Sequence, residues 1–225
     1  MSSEPVDPVA ANATAQNSPP LLHLTGAGGP LPNGSTLLPL QLALQPGLTW
    51  ITGGEGRGKS TLLALMAGTA RVNGPEVGQL VWQVARPAFG PATTTSLETP
   101  TDPTLDALVA ADWMAERSRA FPAWQADTAA QLVEAFALAE HLHKPFYMLS
   151  AGSRRKMGLV VSAASGAHVT LLDTPFAALD GRSSRVLCEL LVAAANTQRA
   201  WVVADYVVPA ALAQVALSAA LDLGD

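Results

Sequence analysis

The sequence predicts an α/β fold in which short strands come first, a helical insert follows, and strands and helices then alternate. Three observations carry this reading. Strand-like runs "LLHL", "TLLPLQLAL" and "GLTWIT" fall between Leu21 and Thr52; apolar residues at helical spacing run from Asp102 to just before Pro145; and "HVTLLD" and "AWVVAD" flank one further helix. The expected organisation is one domain over residues 21–225, with an N-terminal β subdomain and a helical subdomain inserted at about residues 97–150.

Each element has its own signal. The opening "MSSEPVDPVAANATAQNSPP" is acidic and rich in Pro, Ser and Asn, with neither the basic start nor the apolar centre of an export signal, so residues 1–20 read as a disordered tail. The turn-rich "GAGGPLPNGS" separates the first two strands, and "GLTWIT" ends in glycines. Asp102 is a capping residue and Pro103 suits a first helical position, with Leu105, Leu108, Val109 and Trp113 on one face. A second helix carries Leu132, Val133, Phe136 and Ala139. Val186, Leu187, Leu190 and Leu191 share a face of the helix between the last two strands. From Tyr206 to Leu221 the chain is apolar but short, contains Pro209 and Gln214, and is rich in alanine; it reads as a buried or partner-covered helix rather than a membrane span.

Composition excludes several classes. A net charge of −5 leaves no basic stripe to neutralise a phosphate backbone, so no nucleic-acid partner is expected. The single cysteine, Cys188, rules out a disulfide framework and a thiolate metal cluster, which favours the cytoplasm. The four histidines, His23, His141, His143 and His168, read as surface or packing residues.

The sharpest motif follows the third strand. "GGEGRGKST" spans Gly53, Gly54, Glu55, Gly56, Arg57, Gly58, Lys59, Ser60 and Thr61 and fits G-x-x-x-x-G-K-[ST]. Glycines let successive backbone N–H groups turn inward around phosphate oxygens, and the helix that follows presents its N-terminus to the charge. Lys59 reaches the β- and γ-phosphates, and the Ser60 hydroxyl ligates Mg²⁺. A buried strand before it and the apolar "TLLALMAG" after it supply the context the motif needs.

A second pair of motifs narrows the class. "LSAGSRRKMGL" from Leu149 and "VTLLDTPFAALD" about twenty residues on resemble the signature sequence, Walker B strand and D-loop of an ABC-type ATPase. An N-K-x-D guanine motif and a long coiled-coil insertion are both lacking, against a GTPase and against chromosome-maintenance relatives. The resemblance covers about Leu21 to Tyr206, and "LSAG" and "PFAALD" look most like the ATP-binding subunit of the haem exporter used in cytochrome c maturation. It implies a P-loop NTPase core, ATP and Mg²⁺ as cofactors, an integral membrane subunit as partner, and a peripheral place on the inner face of the cell membrane. It also implies a homo- or heterodimer of ATP-binding subunits, with Ser150 and Gly152 contacting the γ-phosphate of a nucleotide held by the other chain. Asp173 is the implied Mg²⁺ carboxylate. Arg154, Arg155 and Lys156 occupy the helix start, where the dipole disfavours cations; either a nearby anion or a solvated basic face accounts for them.

The sequence also departs from that family. Thr174 stands at the catalytic glutamate position, and Asp205 or Tyr206 stands at the switch histidine position. "PATTTSLETPTDP" holds no Q-loop glutamine, its nearest long polar residue being Glu98, and His23 has the only ring between Leu21 and Leu40 for stacking on adenine. The chain therefore keeps what binds phosphate and metal and lacks what drives turnover. Three functions follow: an ABC transporter ATP-binding subunit with weak hydrolysis, a non-hydrolysing ATP-responsive module, or an unrelated P-loop enzyme such as a small-molecule kinase, which the signature disfavours.

Overall fold

Near-continuous apolar runs such as Val169–Leu172 and Ala200–Ala204 require a sheet covered on both faces. The computed structural model describes residues 20–26, 29–30, 36–37, 40–69, 83–85, 94–98 and 102–224. Its strands are β1 (Leu22–Gly26), β2 (Gly29–Pro30), β3 (Thr36–Leu37), β4 (Leu40–Leu44), β5 (Gly47–Thr52), β6 (Gln83–Ala85), β7 (Thr95–Leu97), β8 (Val169–Asp173), β9 (Ala200–Ala204) and β10 (Ala219–Asp222). Its α-helices are α1 (Lys59–Ala67), α2 (Ala110–Ala120), α3 (Ala126–Ala135), α4 (Ala151–Ala164) and α5 (Gly181–Ala194).

The central sheet is parallel, in the order β10-β5-β9-β8-β7, and β4-β1-β6 form a smaller antiparallel sheet. Strand alternation sorts side chains into two cores. Val169, Leu171, Val202 and Ala204 face one core with Ile51, Leu62, Leu63 and Met66, and β1 and β4 contribute their leucines there. Leu172, Trp201 and Val203 face the other, shared with Trp50, Met157, Leu187 and the helical subdomain residues Trp113, Phe136 and Phe146. The α/β core, the N-terminal β part and the helical insert all follow the expected order. The tail expected at residues 1–20 lies outside the described residues apart from Pro20.

Four local expectations are corrected. Within "TLLPLQLAL", the described parts are β3 and β4, each paired differently, β3 with β2 and β4 with β1. Asp102 does cap, its carboxylate accepting from Thr104 N at 2.8 Å, but it caps a 3-10 turn at Pro103–Leu105. The α-helix begins only at Ala110, because Leu108 and Ala110 exchange backbone bonds with Phe146 and Lys144 at 2.9 and 3.0 Å. Those long-range bonds outcompete helix continuation. The second helix stops at Ala135, since Ala137 adopts φ 53°, and Ala139 lies in a separate 3-10 turn.

The segment from Tyr206 to Leu221 is not a helix. Pro209 caps a 3-10 turn at Ala210–Leu212, and the chain then adds β10 parallel to β5. Ala219 and Leu221 are buried while Ala220 and Asp222 are exposed. Pairing with the edge of β5 satisfies the backbone of Ala219–Asp222 and buries Ala219 and Leu221 at once, so tertiary pairing overrides helix propensity. Thr95–Leu97, a stretch with no strand signal of its own, likewise pairs with β8 at the opposite edge. No helix among the described residues is long and apolar enough to cross a membrane.

Candidate functional site

The carboxyl ends of β5, β8 and β9 come together, as the register Ile51↔Ala204↔Asp173 requires. One more bond on each side prolongs the pairing, Asp205 N to Ile51 O at 3.0 Å and Thr174 N to Ala204 O at 2.7 Å. In parallel sheets this is where ligands sit. Here the strand ends open on a cleft of about 450 Å³ lined by the loop and helix start from Glu55 to Thr61, with Asp173, Thr174 and Tyr206 opposite.

The glycine loop has the geometry its residues predict. Gly56 and Gly58 adopt φ 75° and 91°, left-handed values that turn the backbone around the cleft, and Gly58 caps α1 without a side chain. Lys59 is 7% exposed, and its ammonium donates to Gly53 O at 2.5 Å and Gly54 O at 2.7 Å. Ser60 is exposed at the helix start. Behind the loop Gly54 N bonds Gly224 O at 2.8 Å, so the end of β10 buttresses it.

Opposite the loop, Asp173 Oδ1 is buried without a hydrogen-bond partner among the described residues. An orphaned carboxylate oxygen beside an exposed hydroxyl fits a hard divalent cation such as Mg²⁺, which takes oxygen ligands. Thr174 adopts φ 41°, an outlier for a β-branched residue. Tyr206 lines the cleft, its ring centroid 4.4 Å from Lys59 Nζ. Asp205 turns inward instead: it is 9% exposed and accepts from Tyr206 N at 2.8 Å. Burial raises its carboxyl above the ordinary aspartate range, against the nearby backbone N–H groups of Tyr206 and Phe176 and the attraction of Lys59 and Arg155.

Ser150 and Gly152 are not in this cleft. Ser150 is exposed at the start of α4, where its hydroxyl accepts from Ser153 N at 3.1 Å, and a Cβ on Gly152 would lie 2.5 Å from Ala178 O. The three cations of α4, read from the sequence as facing either a nearby anion or solvent, have partners within the chain. Arg154 pairs with Asp106 at 2.5 Å, Lys156 donates to Phe136 O at 3.2 Å, and Arg155 donates to the carbonyls of Asp173 and Thr174 at 2.9 and 2.8 Å. Glu98 is committed to Arg117 at 2.5 Å, and burial, outweighing that cation, raises its carboxyl. The rings of His141 and His168 bond Lys144 and Thr94, and no histidine lines the cleft. A second cleft at the amino ends of the strands, around Gln45, Asn196 and Ser218, is lined by no charged residue among those described.

Sequence reasoning missed Arg155 as a contact of the Asp173 turn and β10 as the support of the glycine loop. Neither has a local signal, because both depend on which distant segments become neighbours.

A glycine loop capping a helix at the carboxyl end of a parallel strand, with an aspartate ending the strand two places away, defines a P-loop nucleotide-binding α/β protein. Residues 37–177 match the family model described as ABC transporter, and the chain belongs to that family as an ATP-binding domain. It is 31% identical over 192 residues to the zinc import ATP-binding protein ZnuC of Halorhodospira halophila, covering 83% of this chain and 67% of that protein. It is 33% identical over 162 residues to the cytochrome c biogenesis ATP-binding export protein CcmA of Sphingopyxis alaskensis, covering 72% and 75%. Against the macrolide export ATP-binding/permease protein MacB of Nitrosomonas europaea identity is 29%, and the match spans 77% of this chain but only 28% of that protein. Among solved structures, an ATP-binding subunit of an ABC transporter superposes with TM-score 0.64 at 18% identity, covering 83% of this chain and 80% of the other. An inward-facing metal-chelate type ABC transporter gives 0.62 at 22% identity, covering 88% and 77%. These likenesses establish the fold.

Proposed function

We propose that this chain is the ATP-binding subunit of a haem-exporter-like ABC transporter acting in cytochrome c biogenesis, peripheral on the inner face of the cell membrane. The observation that carries the nucleotide reading is the cleft that joins the Glu55–Thr61 loop to Asp173, whose buried Oδ1 has no partner. The loop amides and Lys59 hold the ATP phosphates, while Ser60 and Asp173 hold Mg²⁺. When bound, that ion neutralises phosphate charge. The haem-exporter assignment rests on the "LSAG" and "PFAALD" segments and the likeness to CcmA. Relatives named for zinc, macrolide and taurine match at similar identity, so the cargo is the finest part of the reading.

Ser150 and Gly152 face away from the chain's own cleft, and an exposed signature serves a nucleotide on a second ATP-binding subunit. The chain acts as a dimer on an integral membrane subunit. Calorimetry of Mg-ATP binding to wild type and Lys59→Ala tests the site, and purification from native membranes identifies the membrane subunit. Unchanged affinity in the variant removes the nucleotide reading.

A second reading is favoured by Thr174. With no carboxylate at that position and Tyr206 rather than histidine opposite, the protein is a non-hydrolysing ATP-responsive module whose nucleotide closes an interface. Turnover by the complete complex with this chain's own site disabled separates the two.

A further inference from the structure

We propose that Arg155, on α4, is a positioning residue for the metal-binding half of the cleft; this rests on the ATP reading above. Its Nη1 alone donates to Asp173 O at 2.9 Å and Thr174 O at 2.8 Å. Those two carbonyls belong to the turn that aims the Asp173 carboxylate and that holds Thr174 at φ 41°, a conformation a β-branched residue does not keep unaided. Thr174 N is fixed from the other side by Ala204 O at 2.7 Å. The turn is thus clamped between α4 and β9.

Arg155 differs from its neighbours in what it touches. Arg154 bonds Asp106 and Lys156 bonds Phe136 O, both within the helical subdomain, so Arg155 is the member of the trio that bonds the Asp173–Thr174 turn. It lies five residues after Ser150 on the same helix start. The segment that faces outward and the carboxylate that faces the metal therefore share one rigid support. Removing Arg155 frees the Asp173–Thr174 turn and leaves the glycine loop intact, which separates metal binding from phosphate binding.

The test measures ATP affinity calorimetrically with excess Mg²⁺ and with EDTA, for the full chain, and takes the ratio as the metal enhancement. Wild type is expected to gain about tenfold or more from Mg²⁺. Arg155→Met is expected to reduce that gain to about twofold or less while its affinity in EDTA stays within about threefold of wild type. Arg155→Lys restores the gain, since one ammonium nitrogen can donate to both carbonyls. Arg154→Met removes the same charge and leaves the gain intact. If Arg155→Met does not fold, Arg155→Gln, shorter and uncharged, is read in the same way. Full metal enhancement without Arg155, or equal loss in Arg154→Met, overturns the proposal. Absence of any ATP binding by wild type, indistinguishable from Lys59→Ala, removes the ATP reading itself and with it this inference.

Discussion

The ring of Tyr206 covers the ammonium of Lys59, 4.4 Å from its centroid, and the same ammonium donates to the carbonyls of Gly53 and Gly54. An arriving phosphate must displace at least one of these contacts. Lys59→Ala is expected to weaken Mg-ATP binding by about 10- to 100-fold, the range of a charge-assisted hydrogen bond. Tyr206→Ala should tighten it by about 2- to 5-fold, because an exposed cation–π contact of about 0.5–1 kcal/mol no longer competes. Calorimetry checks both, and weaker binding in Tyr206→Ala would mean that the ring assists the nucleotide.

Thr174 cannot take a proton from water near neutral pH, so steady-state ATP hydrolysis by the purified chain should be very slow. Tyr206 lines the cleft, whereas Asp205 is turned onto Tyr206 N, so Tyr206 is the position to change together with Thr174. Thr174→Glu with Tyr206→His should raise the rate by more than the product of the single changes, because a base acts only when water and phosphate are held in place. Fast wild-type turnover that Lys59→Ala abolishes would show that another group is the base.

Asp205 makes stability depend on pH. In the unfolded chain it titrates in the ordinary aspartate range; in the fold burial raises it. The folded state binds that proton more tightly, so this contribution is complete below the ordinary range and is lost as pH rises through the raised value. Wild type should lose urea resistance relative to Asp205→Asn as pH rises above the ordinary aspartate range. Parallel curves for the two proteins would show that Asp205 titrates as it does unfolded.

Gly152→Ala places a methyl group 2.5 Å from Ala178 O, in a loop where Ala178 itself adopts φ 61°. Overpacking of this kind costs about 1–3 kcal/mol. Thermal unfolding should record that loss, whereas Mg-ATP binding at the chain's own cleft should stay within about twofold. A large drop in binding would show that the Ala178 loop and the cleft move together.

Much of the site was legible before any coordinates. The loop from Gly53 to Thr61 is contiguous, so its residue types alone specify a turn into a helix, and Asp173 follows from the apolar strand that ends on it. The α/β order was legible for the same reason, since strand and helix periods are local properties of "GLTWIT" or of the Val186–Leu191 face. Local patterns failed where a distant partner decided the outcome. Leu108 stays outside the helix, and Ala110 only begins it, because they bond Phe146 and Lys144, and the alanine-rich end becomes β10 because β5 offers an edge.

Which of Asp205 and Tyr206 meets the cleft depended on strand register. With β9 ending at Ala204 beside Ile51 and Asp173, the next residue faces the turn after β8 and the one after it faces Lys59. The partners of Arg154, Arg155 and Lys156 depended on how α4 packs against the helical subdomain and β8. Residues adjacent in the chain diverge around a helix by about 100° each, so three like charges in a row reach three unrelated surroundings. Identity and spacing therefore determined the glycine loop and the strand that ends on Asp173, and only packing decided which charge met the Asp173 turn.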